Sequence, residues 1–324
     1  MQYRDLGATG VKVSELCLGT MQLGWTADEA ASMEVLTAAF EAGVNFIDTA
    51  DIYSRWAEGN PGGVAETILG KWLHRGIARR DELVIATKVR GEMGGGPNDQ
   101  GLSRKHIVAS VEGSLRRMGL EFIDLYQLHW PDDATPIEET LRALDDLVHR
   151  GLVRSIGCSN FPAWRLMQAL WASDRLGLVS FATLQPHYSL MNRAEYEREL
   201  EAVCRTYRLG VLPYSPLAGG FLTGKYRRGA VAPSPSRGES SQRLQGYMQQ
   251  EKSWRLLDEL DRMSAARGKT VSQVALAWLL SQPTVTSPIV GPRTVEQLHD
   301  NLGAVGVRLD SAELAVLDPL TAWP

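Results

Sequence analysis

A short apolar run followed by an amphipathic helix recurs eight times along this chain of 324 residues, and that alternation restricts its fold more than any other feature. The runs lie at residues 16–18, 44–47, 83–86, 123–128, 153–156, 182–185, 211–213 and 286–290. Parallel neighbours in a sheet need a crossover of about a dozen residues or more, usually a helix, so strict alternation predicts a parallel sheet. Eight repeats in one undivided chain favour closure into a (β/α)8 TIM barrel over an open sheet. Barrels of this class run from about 200 to more than 400 residues, so residues 1–324 read as one barrel domain. Ahead of the first run, QYRDLGATGVKVS has the look of a β-hairpin that plugs the barrel floor.

Helix boundaries are partly written in the sequence. Ser103 precedes the periodic set Ile107, Val108, Val111, Leu115 and Met118, and Gly119 reads as the stop. Thr135-Pro136-Ile137-Glu138 predicts a capping box with proline at the first helical position, ended by Gly151. A last helix is expected over 311–317, with little chain beyond it to wall off a site. Two stretches break the rhythm. Residues 90–101 (RGEMGGGPNDQG) are glycine-rich, and 216–250 include Pro233-Ser234-Pro235-Ser236-Arg237-Gly238. Connections of that length in a compact barrel are usually functional or mobile.

Composition narrows the function. A net charge of −4, from 34 basic and 38 acidic residues, is no nucleic-acid footprint. Cys17, Cys158 and Cys204 are far apart and form no C-x-x-C pair, which suits a reducing compartment and predicts no metal site. No apolar leader opens the chain and no segment approaches a membrane span, so a cytoplasmic location is the expectation. There is no G-x-G-x-x-G after a strand, no G-x-S-x-G, no H-E-x-x-H and no P-loop. Those absences disfavour Rossmann dehydrogenases and the common hydrolases and NTPases. The sequence does not specify an oligomeric state or a physiological substrate.

In barrels of this class the active site sits at the C-terminal ends of the strands. Unusual polar residues fall there: Asp48 and Tyr53 after strand two, Lys88 after three, His129 after four, Ser159 and Asn160 after five. Gln185 ends strand six, Tyr214 and Ser215 end seven, and Gly291 to Arg293 follow eight. Each alone has a plainer alternative. Asp48 could cap a loop, Lys88 could be a solvated strand end, and His129 could be a satisfied core histidine. Their joint placement at one barrel mouth points to a site.

These residues lie in NFIDTADIY (45–53), VIATKV (84–89), DLYQLHWP (124–131), IGCSNF (156–161), PYSPLAGGFLTGKY (213–226) and PIVGPRTVEQLHDNL (288–302). Across nearly its whole length the chain resembles the aldo-keto reductase superfamily, and above all bacterial NADPH-dependent members with a G-x-R-x-x-x-Q-x-x-x-N segment. The resemblance implies reduction of small aldehydes or ketones by hydride transfer from NADPH, with a tetrad of Asp48, Tyr53, Lys88 and His129. Tyr53 would be the general acid, made more acidic by the Lys88 cation, which Asp48 would orient. His129 would bind the substrate oxygen or relay a proton. A histidine here, not a glutamate, implies carbonyl reduction and not reduction of an enone double bond.

The resemblance also implies cofactor contacts. Gly19, Thr20, Met21 and Asp48 would lie near the nicotinamide, Ser159, Asn160 and Gln185 would bind its carboxamide, and Tyr214 would stack on the ring. Ser215, Pro216, Leu217, Gly219 and Lys225 would meet the pyrophosphate. Gly291, Arg293, Gln297 and Asn301 would surround the adenosine end, on a helix over 294–302 whose N-terminus faces phosphate. Trp25, Trp56 and Trp130 are expected to wall the substrate cavity. Two rivals remain in view: an NADPH-binding regulatory module of the potassium-channel β-subunit type, and a lyase using Lys88 as a Schiff-base amine.

Overall fold

A computed structural model of the chain describes residues 1–230 and 241–323; Pro233 to Gly238 of the second long connection therefore lie outside the described residues. The N-terminal hairpin pairs β1 (Tyr3–Asp5) with β2 (Lys12–Ser14), antiparallel. Eight parallel strands follow: β3 (Cys17–Gly19), β4 (Phe46–Asp48), β5 (Val84–Val89), β6 (Ile123–Leu128), β7 (Val153–Ser159), β8 (Phe181–Gln185), β9 (Gly210–Val211) and β10 (Ile289–Val290). Their order is β10-β3-β4-β5-β6-β7-β8-β9. The sheet closes on itself. Val211 bridges Val285, Thr286 N–H donates to the Val211 carbonyl at 2.8 Å, and Ile289 N–H donates to the Pro213 carbonyl at 2.8 Å. The alternation read from the sequence is thus a (β/α)8 barrel.

Strand edges depart from the sequence reading for local reasons. The last two strands are shorter than 211–213 and 286–290 because Pro213 and Pro288 have no N–H to give a ladder. The strand expected at 44–47 begins instead at Phe46. Gly43 takes a left-handed φ of 86°, and Val44 N–H closes the end of the preceding helix on the Ala39 carbonyl at 2.9 Å. The capping box at Thr135 does not form. Pro136 is itself the N-cap of helix Ile137–His149 and has no side-chain cap. The Thr135 hydroxyl donates to Asp132 Oδ2 at 2.8 Å instead, because that carboxylate gathers the turn. Ser103 does cap its helix, accepting from His106 N–H, and left-handed Gly119 ends it.

The hairpin seals the floor. Leu6 and Val13 are buried in one cluster with Cys17, Phe46, Val84, Ala86, Leu125, Leu212 and Ile289. Gly7 turns with φ 58°, and a Cβ there would stand 2.4 Å from the Ala182 carbonyl oxygen and 2.8 Å from Gly210 N. Only glycine lets the turn press against the bases of β8 and β9. No described helix is long and apolar enough to cross a membrane.

Candidate active site

Strand parity builds the site in layers. Side chains two apart point to the same face, so Phe46 and Asp48 share one stripe, as do Val84, Ala86 and Lys88, and Leu125, Gln127 and His129. The lower members form the apolar floor with the hairpin. One step up, these stripes turn polar at Asp48, Lys88 and Gln127, and with Gln185 at the end of β8 all four are buried. An apolar floor beneath a buried polar layer leaves the groups one opening, toward the C-terminal mouth.

The polar layer is closely satisfied. Asp48 Oδ2 accepts from Lys88 Nζ at 2.5 Å. Its Oδ1 accepts from Gln127 Nε2 at 3.1 Å and Gln185 Nε2 at 2.9 Å. Lys88 spends its other two protons on the Thr49 carbonyl, 2.9 Å away, and the Tyr53 hydroxyl, 2.8 Å away. Because that hydroxyl oxygen accepts from Lys88, its own proton is left to point into the cavity. The loop presenting Tyr53 is pinned at Ser54, whose φ is 70° and whose hydroxyl donates to the Leu23 carbonyl at 2.7 Å. Gln127 escaped the sequence reading. The signal was available: a lone amide in a buried strand, two residues before His129 and on its stripe.

Electrostatics follow from depth. Burial opposes the charge on Lys88, but Asp48 and Tyr53 together outweigh it and hold the ammonium above the ordinary lysine value. For Tyr53 the balance runs the other way. Burial pushes the phenol up to about 12 despite the neighbouring Lys88. The Lys88 cation does pull the phenol down, as expected of it, but burial outweighs that pull and the cation limits the rise. Burial, then Lys88 and Arg90, press His129 well below the usual histidine range, so its imidazole is neutral. His129 stacks on Trp130 at 3.8 Å and meets Tyr53 edge-on at 5.8 Å. Its Nδ1 is buried without a partner, which leaves Nε2 as the nitrogen open to the cavity.

A cavity of about 690 Å³ opens above this layer. Tyr53, His129, Asp48, Trp56 and Trp130 line it, as do Gly19, Met21, Ser159, Asn160, Gln185 and Tyr214. Farther along it are Ser215, Pro216, Leu217, Gly219 and Lys225, then Gly291, Arg293, Gln297 and Asn301. Three residues named from the sequence do not line it. Lys88 lies beneath Tyr53, Thr20 turns its hydroxyl to the Asp48 carbonyl at 3.1 Å, and Trp25 packs edge-on behind Trp56 at 5.5 Å. Gln22, Ile52, Glu296 and Asp300 line it without having been foreseen. Ile52, Glu296 and Asp300 lie within the quoted segments, the last two on helix Val295–Leu302, but nothing in the spacing singled them out.

Several linings are fixed by their neighbours. The Tyr214 hydroxyl donates to Asn160 Oδ1 at 2.8 Å, and His187 stacks on one face of its ring at 5.1 Å. The other face is left to the cavity. Asn160, at φ 60°, donates to the His129 carbonyl at 2.9 Å. Helix Val295–Leu302 starts at Thr294, whose hydroxyl accepts from Gln297 N–H, so Arg293 stands just ahead of its N-terminus. Ser215, Ala218, Gly219 and Gly220 all take positive φ, folding the backbone tightly around the cavity wall.

Comparison with known proteins agrees with this architecture. The description "Aldo/keto reductase family" matches residues 15–322. An uncharacterized oxidoreductase of Bacillus subtilis (strain 168), YrpG, is 40% identical over 329 residues, covering 100% of this chain and 97% of that one. A probable voltage-gated potassium channel subunit beta of Arabidopsis thaliana is 37% identical, covering 95% of this chain and 92% of its own length. A protein of the same description from Oryza sativa subsp. japonica is 36% identical with the same coverage. The chain belongs to the aldo/keto reductase family, a family of oxidoreductases.

Proposed function

We propose that this chain is a one-domain, cytoplasmic, NADPH-dependent reductase of small aldehydes or ketones. The observation that carries the reading is the bridge made by Lys88 Nζ between Asp48 and Tyr53, with the Tyr53 proton left facing the cavity.

The cavity suits a dinucleotide phosphate. Lys225 and Arg293 line it and form no ion pair among the described residues. Of the acids beside them, Asp300 is held by the Thr270 hydroxyl at 2.7 Å, and Glu296 occupies the first turn of its helix, where a negative charge is favoured. Tyr214 offers a free ring face, and Gly19 and Gly291 remove side chains from the wall. Arg293 and Lys225 would hold phosphate groups, Tyr214 the nicotinamide, and Asn160 and Gln185 its carboxamide. When bound, NADPH supplies the hydride.

The chain's own residues then manage the proton. Buried and weakly acidic, Tyr53 stays protonated at neutral pH and can give its proton to the substrate oxygen. An alkoxide is a stronger base than a phenolate, so the transfer runs downhill. The phenolate left behind lies against the Lys88 ammonium. Neutral His129 donates from Nε2 to the same oxygen as charge develops on it, which favours the hydrogen-bonding role over proton relay. Lys88 is too enclosed for imine chemistry, being 0% exposed with three partners. Trp56 and Trp130 wall the substrate end.

The test is Tyr53→Phe. It should lower kcat by about 10²–10⁴ while NADPH affinity changes little, since only the hydroxyl is lost. Carbonyl reduction at the wild-type rate would overturn the assignment. Likeness to the plant proteins described as probable channel subunits supports a second reading, a cofactor-binding regulatory module. That reading predicts NADPH binding with no turnover of any carbonyl in a panel.

A further inference from the structure

Behind the barrel wall, outside the cavity, a second charge pair, its carboxylate buried and its guanidinium partly exposed, touches both segments that meet in the site. Glu66, in the first turn of helix Val64–Leu73, has a wholly buried carboxylate. Its Oε1 accepts from the Thr87 hydroxyl at 2.6 Å, and its Oε2 from Arg117 Nε at 2.6 Å. Thr87 is the residue before Lys88 on β5, on the opposite face of the strand. Arg117 reaches across from helix Arg104–Met118 and lays its side chain on Gly63. A Cβ on Gly63 would stand 2.4 Å from Arg117 Cδ, so the contact exists only because that residue is glycine. Gly63 N–H in turn closes the loop bearing Tyr53, donating to the Asp51 carbonyl at 2.7 Å. Asp51 N–H donates to the Lys88 carbonyl at 3.3 Å.

We propose that Glu66 and Arg117 are positioning residues for the reaction, setting the Tyr53–Lys88 contact from outside the site. Through Thr87 the pair holds the strand of Lys88, and through Gly63 it holds the closing point of the Tyr53 loop. The 2.8 Å hydrogen bond between ammonium and phenol spans these two segments, which one ion pair registers against each other. A rigid helix–helix pair suits that task, because proton transfer is sensitive to sub-ångström placement. Neither side chain touches the cavity. The inference rests on the reading of Tyr53 as the proton donor.

The experiment is an epistasis test on the full chain, measuring kcat per folded molecule, KM for an aldehyde and NADPH affinity by tryptophan fluorescence. Glu66→Gln keeps an acceptor for Thr87 and removes the charge that holds Arg117. It should lower kcat by about tenfold to a hundredfold, with KM and NADPH affinity within about twofold of wild type. In a Tyr53→Phe background the same change should cost less than about twofold, because groups acting as a unit are not additive. An equal loss in both backgrounds, or an unchanged kcat per folded molecule, overturns the proposal and leaves the pair as scaffold. Thr87→Val, which removes one hydrogen bond, reads the same coupling more gently should Glu66→Gln fail to fold. Full activity of Tyr53→Phe by itself would instead strike at the reading of Tyr53.

Discussion

Replacing Lys88 by methionine separates two effects that share one atom. Lys88 and Asp48 are 0% and 1% exposed, and among the described residues the ammonium is the only cation paired with that carboxylate. Methionine fills most of the space and leaves Asp48 with the two amides of Gln127 and Gln185 but no counter-charge. Breaking a buried ion pair by removing one partner costs about 3–5 kcal/mol. At about 2.1 cal/mol/K of unfolding entropy per residue, a chain of 324 residues should lose about 4–7 °C in Tm. Adding Asp48→Asn removes the stranded charge and should recover most of that loss. Activity should behave differently. Without the ammonium nothing offsets the burial of the Tyr53 phenolate, so both variants should reduce carbonyls at least about tenfold more slowly, with NADPH still bound. The assays are scanning calorimetry and steady-state kinetics on the single and double variants. A Tm within about 1 °C of wild type for Lys88→Met, or a double variant no more stable than the single, would refute the charge argument. A substrate adduct trapped by borohydride on Lys88 of the wild type would refute the proton-donor reading itself.

Two further outcomes are expected. Arg293 stands at a helix start with a guanidinium suited to bidentate phosphate binding, and a charge-assisted hydrogen bond is worth about 1.5–3 kcal/mol. Wild type should therefore prefer NADPH, and Arg293→Ala should weaken it by about one to two decades while leaving NADH nearly unchanged; titration of tryptophan fluorescence decides this, and equal weakening of both cofactors contradicts it. Asp51 is buried with neither carboxylate oxygen bonded, and burial, reinforced by the Glu66 carboxylate, holds it well above the usual carboxylate range. Above pH about 3.9 the unfolded chain ionises this group while the folded chain keeps it protonated, so wild type loses stability as pH rises toward the folded value. Asp51→Asn carries no such liability. Its stability relative to wild type should climb as pH rises above about 4, by up to about 1.4 kcal/mol per pH unit, read from denaturant midpoints; a difference that does not vary with pH would sink the assignment.

What could be read in advance, and what could not, divides along physical lines. Parallel strands buried on both faces appear as short continuous apolar runs, so the eight strands were visible, and helices separated them cleanly. Their ends were less so. Whether Val44 continues a strand or caps a helix depends on the left-handed turn at Gly43, and Thr135 lost its cap to Asp132, a competitor three residues away. The gathering of Asp48, Tyr53, Lys88 and His129 rests on strand ends meeting at one mouth, which closure of the barrel imposes.

The sign of the Tyr53 shift was beyond any motif. A lysine beside a tyrosine predicts acidification, and at the surface that would decide the matter. Here the alternation that aims Lys88 at the barrel axis also places both groups above an apolar floor and beneath the mouth, and desolvation outweighs the cation. Depth, not the identity of the neighbour, settles the charge state. A phenol kept protonated by burial, with a cation in contact to receive its phenolate, is suited to give a proton only when a stronger base is formed beside it. On that argument the buried lysine stabilises the phenolate and so keeps burial from raising the Tyr53 phenol further, and its loss should fall on kcat more heavily than on binding.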